Sequence, residues 1–366
     1  MKKIIHFFRG DVTFSISFLL AAIAIFFGRF SVADINFKTI VTLSGLMLVI
    51  NGLDYAGILG HLSSMLVRKS VSLRALIRSI ILLSFFGAMF LTNDVTILTL
   101  LPLYLRITKT IKKRPSIMLG AALIIPAANL GSSLFPFGNP HNLFLYSLHQ
   151  MSLFEFFQAT GLLSGSALIL LMLTVQLIPK EILSIELPQQ KADFKKTLIF
   201  SLLMVVMIAG VFNQISYWLA LLIVVAAVLF VQPKLFKKID YRLLATFAFF
   251  FIIVGNIKQL DNLIEWLHSL MTSPNRTLFT SLLTSQVISN VPSTLLLAHF
   301  THYHQALVLG ADIGGLGTLV ASMANLIGHK IIRIYAPQEQ KLFNKYFYQI
   351  NIAYLLLLIL IVQFVL

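Results

Sequence analysis

The sequence predicts an all-α polytopic membrane protein: an inverted repeat with two re-entrant hairpins, two broken transmembrane helices and about nine crossings. Three observations predict it. The 366 residues are 58% hydrophobic and 11% charged, with a mean hydropathy of +0.90, more apolar than a water-facing surface allows. The apolar runs are long and do not alternate, whereas barrel strands alternate over about 10 residues. Some of these runs are interrupted near their middles by polar, glycine and proline residues, in an order that recurs along the chain.

Full-length spans read at residues 13–30, 38–55, 156–178, 196–213, 215–231, 241–257 and 345–365. Met1-Lys2-Lys3 before an apolar run to Phe27, with Ser31-Val32-Ala33 beyond it, has the outline of a cleavable signal. An uncleaved first span agrees better with the charge distribution. Four regions are interrupted. In residues 74–108 two arms of about 15 residues flank Thr92-Asn93-Asp94, and in 276–303 two more flank Ser289-Asn290-Val291-Pro292. Such arms are too short for comfortable spans and predict hairpins that enter and leave on one side. Residues 116–150 hold Pro126, Gly131, Pro136, Gly138 and Pro140, and 305–334 hold Gly310, Gly314, Gly315 and Gly317; both read as spans broken into half-helices.

The order repeats. Span 38–55 ends in Ile50-Asn51-Gly52 before an amphipathic stretch from Gly57 to Val67, and span 241–257 ends in Val254-Gly255-Asn256 before another from Ile257 to Met271. A hairpin, a broken helix and a full span follow each. Ala128-Asn129-Leu130-Gly131 aligns with Ala311-Asp312-Ile313-Gly314 at an offset of 183 residues, and Asn142-Leu143 aligns with Asn325-Leu326 at the same offset. The chain divides accordingly into a first repeat (1–179), a connector with an extra span (180–214) and a second, inverted repeat (215–366).

A formal net charge of +15 does not signal a nucleic-acid partner, because the basic residues sit in short loops between apolar spans. With each span counted as one crossing and each hairpin as none, loops 66–78, 106–114, 180–196, 232–242 and 330–345 share a side with the N-terminus. That side holds all of the 28 Lys and Arg residues except Arg29, Lys38, Lys258 and Arg276. The bias places the N-terminus in the cytoplasm and the C-terminus outside, in a cytoplasmic membrane. Inverted repeats with helices broken at the midplane are a secondary-transporter signature.

Polar residues at the breaks are the candidate site. Half-helix ends expose unpaired N–H groups and a partial positive charge, and Asn93, Asp94, Ser289 and Asn290 are N-cap types ahead of apolar arms, with Pro292 in a first turn. Such tips attract an anion, while amides and freed carbonyls coordinate a cation; capping alone is the structural alternative. Asp94 and Asp312 are the most deeply placed acids, and an intramembrane carboxylate costs roughly 2.5 kcal/mol or more unless paired, protonated or coordinated. Asp54 falls at a span end. The cation-binding candidates are Asn93, Asp94, Asn290, Asp312, Gly131 and Gly314, with sodium at Asn93 and Asn290. The substrate-binding candidates are Thr92, Thr96, Asn129, Ser132, Ser133, Gly138, Asn139, Pro140 and Asn142 in the first half, and Ser289, Pro292, Ser293, Thr294, Gly315 and Thr318 in the second. A lone His141 reads as a packing residue, and His299, His302 and His304 as a solvated loop without acidic partners.

The absence of cysteine excludes disulfides and thiolate metal sites. No His-Glu-x-x-His, Gly-x-Ser-x-Gly or Gly-x-x-x-x-Gly-Lys pattern occurs, so the sequence predicts neither an enzyme nor an ATP-driven pump, and no cofactor beyond a coupling sodium ion or proton.

At these motifs the chain resembles the ion transporter superfamily of divalent anion/sodium symporters, citrate transporters, arsenite permeases and certain sodium/proton antiporters. The Ser-Asn-Thr signature of the anion symporters is matched in part by Thr92-Asn93-Asp94 and Ser289-Asn290-Val291. Asn93-Asp94 followed by Val95-Thr96, and Asn290-Val291-Pro292, look more like the permease and antiporter branches. Gly138-Asn139-Pro140-His141-Asn142 is similar to the Gly-Thr-Pro-x-Asn stretch of the anion and citrate branches. The resemblance implies an elevator-type carrier, commonly a homodimer, whose cation-site asparagines match Asn93 and Asn290 and whose neighbouring residues contact substrate. The reading that results is a sodium- or proton-coupled carrier of a small anion: citrate, a dicarboxylate or an inorganic oxyanion. An arsenite or metalloid exporter, a sodium/proton antiporter, and a receptor or channel are the alternatives.

Overall fold

The computed structural model describes residues 12–182 and 191–364; the Met1-Lys2-Lys3 signal reading lies outside them. Apart from one isolated bridge between Ser72 and Ile182, regular structure among the described residues is helical. The first half comprises α1 (Val12–Phe27), α2 (Phe37–Tyr55), α3 (Ile58–Arg68), α4 (Leu73–Leu91), α5 (Asn93–Ile107), α6 (Arg114–Gly131), α7 (Pro140–Leu148) and α8 (Leu153–Val175). α9 (Phe194–Val211) and α10 (Tyr217–Val231) follow. The second half continues with α11 (Tyr241–Ile257), α12 (Asp261–Leu270), α13 (Pro274–Ile288), α14 (Asn290–Leu297), α15 (His304–Gly314), α16 (Met323–Tyr335) and α17 (Gln340–Val362).

Local chemistry fixes these boundaries. Asn36, Ser72, Asp193, Asp240, Ser273 and Ser322 accept from backbone N–H groups at the starts of α2, α4, α9, α11, α13 and α16, and Ser152 and Glu155 close a reciprocal capping box on α8. The amphipathic stretches form α3 and α12, and α12 leaves α11 at 108°. By length and composition α2, α4, α8, α9 and α17 are each able to cross a membrane, the bent pair α11–α12 adds a sixth, and α1 and α10 are apolar but shorter.

The two arm pairs differ from expectation in length. Helix α4 has 19 residues and is long enough to cross alone, because it begins at the Ser72 cap; α5 has 15, α13 has 15 and α14 has 8. The arms nevertheless lie side by side. Ile77 of α4 and Tyr104 of α5 both border Gly120, and Thr277 of α13 meets Thr301, just past α14, at 3.2 Å. At the turn between arms, Thr92 (φ 64°, ψ 158°) and Ser289 (φ 73°, ψ 152°) take the same backbone conformation, one that favours glycine.

Two hydrophobic cores build the molecule. One joins α4, α5, α6, α8, α13, α16 and α17; the other joins α2, α9, α10 and α11 with α7 and α14. Within each half the first arm packs on the first half-helix, α4 on α6 and α13 on α15, while the second arms cross over, α5 onto α16 and α14 onto α7. Small residues permit the close pairs: a methyl at Gly131 would run into the Phe85 backbone, and one at Gly310 or Gly314 into α13.

Gly131→Ala is therefore expected to lower the unfolding midpoint by the equivalent of about 1–3 kcal/mol. Gly161→Ala on α8, where a methyl meets nothing within 4 Å, is expected to leave the midpoint unchanged or to raise it. Thermal unfolding in detergent checks both.

Candidate functional site

The broken helices interrupt at buried positions, so their freed carbonyls need donors. In the second half, Asn325 Nδ2 donates to Gly315 O (3.0 Å) and Thr318 O (2.9 Å), and Gln286 Nε2, from α13, donates to Gly314 O (2.8 Å) and Leu316 O (3.0 Å). Gln286 Oε1 also accepts from Thr318 N at 3.0 Å. In the first half, Ser132 Oγ donates to Asn129 O and Asn139 Oδ1, and Ser133 Oγ donates to Leu130 O. Gln286 carries no motif that would single it out by sequence; only its contact with the break of its own half shows its role.

The residues aligned by the 183-residue offset pair crosswise. Asn129 Nδ2 donates to Asn325 Oδ1 at 3.1 Å, and Asn142 Nδ2 donates to both Asp312 carboxylate oxygens at 3.1 and 3.2 Å. Each break thus holds the side chain of the other. Asn93 at the first tip joins the chain, its Nδ2 donating to Asn129 Oδ1 at 2.9 Å. His141 completes the second pair: Nε2 lies 3.0 Å from Asp312 Oδ1, with His141 and Asp312 only 1% and 3% exposed. The sequence reading of His141 as a lone packing residue misses this partner. Asp312 faces His141 and Asn142, while Asp94 faces a cavity and has a buried Oδ1 without a hydrogen-bond partner.

The tips meet around that cavity. About 60 Å³ is enclosed by Asn93, Asp94, Asn139, Pro140, His141, Ser289, Asn290, Pro292 and Ser322, with Asp240 and Thr246 from α11 and its cap. This is room for a bare ion or a few waters. A larger cavity of about 540 Å³ shares Asn93, Asp94, Pro140 and Asp240 and extends past Leu46, Asn51 and Met323 to Lys238, Arg242 and Lys330. Its size suits a small organic ligand. The caps of α5 and α14 fall on Thr92 and Ser289, one residue before the tip asparagines, and neither side chain accepts a cap hydrogen bond; the Asn93 Oδ1 instead accepts from Asp94 N at 2.9 Å. Other sequence candidates lie behind this wall: Thr318 bonds to Gln286, Ser133 meets Ser164, and Thr294 bonds to Asn290 O.

A family model described as "Citrate transporter" matches residues 12–302. The chain belongs to the citrate transporter family. It is 33% identical over 331 residues to the inner membrane protein YbiR of Escherichia coli, covering 87% of each protein, and 31% identical over 309 residues to an uncharacterized transporter of Methanocaldococcus jannaschii, covering 80% of each. The crystal structure of the YdaH transporter of Alcanivorax borkumensis shares the fold, with a TM-score of 0.56 at 14% identity over 90% of this chain and 86% of that one. This family member is a multi-pass membrane transporter.

The outer histidines have a different setting from the one expected. His304 stacks on His149 with ring centroids 3.6 Å apart, and Glu155 lines the same cavity as His149, His302 and His304. The acidic neighbour lies across the fold, on α8, where loop spacing gives no hint of it.

Removing one member of a crossed pair strands its partner. Asn142→Ala and Asn129→Ala are each expected to cost about 1–3 kcal/mol of stability, with Asn129→Ala/Asn325→Ala costing less than the sum of its single changes. A double-mutant cycle on unfolding midpoints measures this. At the strained turn, Ser289→Gly is expected to keep or raise the midpoint, and Ser289→Val to lower it by about 1–3 kcal/mol.

Proposed function

We propose that the chain is a secondary carrier, coupled to sodium or protons, that moves a small anion such as citrate, another carboxylate or an inorganic oxyanion. The observation that carries this reading is the meeting of two helix starts, α5 and α14, neither capped by the Thr92 or Ser289 side chain, in one cavity that also holds Asp94, Asn93 and Asn290. The partial positive charge of two helix starts favours an anion, and a buried carboxylate beside side-chain amides favours a cation, so one cavity offers both binding modes. The route out is lined by Lys238, Arg242 and Lys330, which attract an anion to the mouth.

The crossed pairs and crossed arms support an inverted repeat in which α4–α5 and α13–α14 are re-entrant hairpins. The lysine and arginine bias and the nine-crossing topology support a reading in which the open mouth faces the cytoplasm, as in the inward-open state of an elevator carrier. In that reading the hairpins and broken helices travel together against α2, α9, α10 and α11. The family resemblance adds a homodimer, and no cofactor is required. A proton-coupled exporter or antiporter is favoured by one observation, the lone Asp94 carboxylate in the cavity.

Counterflow in proteoliposomes tests the proposal. Wild-type protein preloaded with unlabelled citrate or succinate is expected to accumulate the labelled anion in a sodium- or pH-dependent way, and Asn93→Ala and Asn290→Ala to reduce uptake at least about tenfold. Wild-type rates in both variants would sink the site, conductance without counterflow would indicate a channel, and pH-driven sodium exchange without anion uptake would establish the antiporter.

A further inference from the structure

A second cavity lies away from the tips, where the ends of three helices converge: α5 at Ile107, α6 at Arg114 and α16 at Tyr335. It measures about 260 Å³ and is lined by Leu105, Arg106, Lys109, Arg114, Tyr335 and Ala336. Its charges do not cancel. Arg114 is committed to Glu339 through a two-pronged pair, Nε to Oε1 at 2.5 Å and Nη2 to Oε2 at 2.6 Å, and its Nη1 donates to Thr108 O. Among the described residues, Arg106 and Lys109 have no carboxylate within 4 Å.

The arginine is also held in place. Its guanidinium lies over the Tyr335 ring, 5.5 Å from the centroid, and Nη2 is 3.4 Å from the Tyr335 hydroxyl. A planar fork held on Tyr335 beside the exposed ammonium group of Lys109 suits a tetrahedral oxyanion, with the fork taking two oxygens and the lysine a third. One wall is apolar, formed by Leu105 and Ala336, and Ile334 beside it is 64% exposed. Uncompensated cations at helix ends next to an exposed apolar side chain match the layer where lipid headgroups meet acyl chains.

We propose that this cavity binds a phosphate-bearing anion, the headgroup of an anionic phospholipid or a free phosphate, through Arg106 and Lys109. A bound phosphate sits where the end of α5 meets the start of α6 and the end of α16, with Arg106 already held against Tyr335 of α16. It therefore acts on the helices that carry Asn93, Asn129 and Asn325 without touching the tip cavity.

The test titrates the purified full-length protein in detergent with phosphatidylglycerol, phosphatidylcholine and inorganic phosphate, reading unfolding midpoints and the lipid retained in native mass spectra. Phosphatidylglycerol is expected to raise the midpoint by mass action and phosphatidylcholine to leave it in place. Arg106→Gln/Lys109→Gln is expected to weaken the apparent affinity by about tenfold or more for each cation removed. Lys69→Gln/Lys195→Gln, which removes two basic residues outside this cavity, keeps the wild-type response, as does Asn93→Ala at the tip. A shift with inorganic phosphate alone identifies a free anion as sufficient, and a shift confined to phosphatidylglycerol identifies the lipid. Equal responses of wild type and Arg106→Gln/Lys109→Gln, equal shifts with phosphatidylglycerol and phosphatidylcholine, or no shift with phosphatidylglycerol or inorganic phosphate would overturn the proposal.

Discussion

The structure depends on how two buried helix breaks are satisfied. A break inside an apolar core frees carbonyls that water cannot reach, and each costs several kcal/mol when left unpaired in hydrocarbon surroundings, so donors have to be supplied. Here they come largely from amides that also bind across the molecule. Asn325 holds the carbonyls of its own break and accepts from Asn129, and Asn142 binds the carboxylate of Asp312. Because each half needs the other, the two breaks cannot separate without stranding polar groups on both sides. That mutual need fixes where α7 and α16 begin relative to each other, and the tip residues Asn93 and Asn290 lie beside them around one cavity.

Packing then aims the tips. The small side of α6 at Gly131 lets α4 approach its backbone, and Gly310 and Gly314 do the same for α15 and α13. The second arms, α5 and α14, are left to cross to the opposite half, which carries Asn93 and Asn290 to a shared cavity. The turns at Thr92 and Ser289 hold side-chain-bearing residues in a glycine-like conformation, a local cost of about 1–3 kcal/mol at each tip that the surrounding contacts sustain.

Much of this is legible in the sequence, for identifiable reasons. Uninterrupted apolar runs mark α1, α2, α8, α9, α10, α11 and α17 to within a few residues, because hydrophobic length is a local property. The polar interruptions at Thr92 and Ser289 and the 183-residue offset are visible for the same reason. Contacts between distant segments are not. Asparagine gives no clue to its partner, so Asn129 and Asn142 stand out as candidates while their crossed pairing stays hidden. His141 looks solitary until α15 brings Asp312 beside it, Gln286 reads as an ordinary helical residue, and Asp240 and Lys330 look like loop charges although they line the cavity. At α5 the helix start is shifted by one residue, since Thr92 takes the cap position that residue preference assigns to Asn93 or Asp94, whereas at α14 the cap falls on Ser289, one of the residue types the sequence offers for it.

The carboxylate of Asp94 has an electrical consequence. Facing the cavity without a basic partner within ion-pair distance among the described residues, it carries an uncompensated negative charge when ionised. The potential across a membrane does work of about 2.3 kcal/mol per elementary charge for each 100 mV, so in the proposed carrier the return of the empty, ionised form would be driven or opposed by voltage. In the proposed carrier a proton or a metal cation on Asp94 would cancel that force, and the occupancy of this carboxylate would decide which half of the transport cycle generates current.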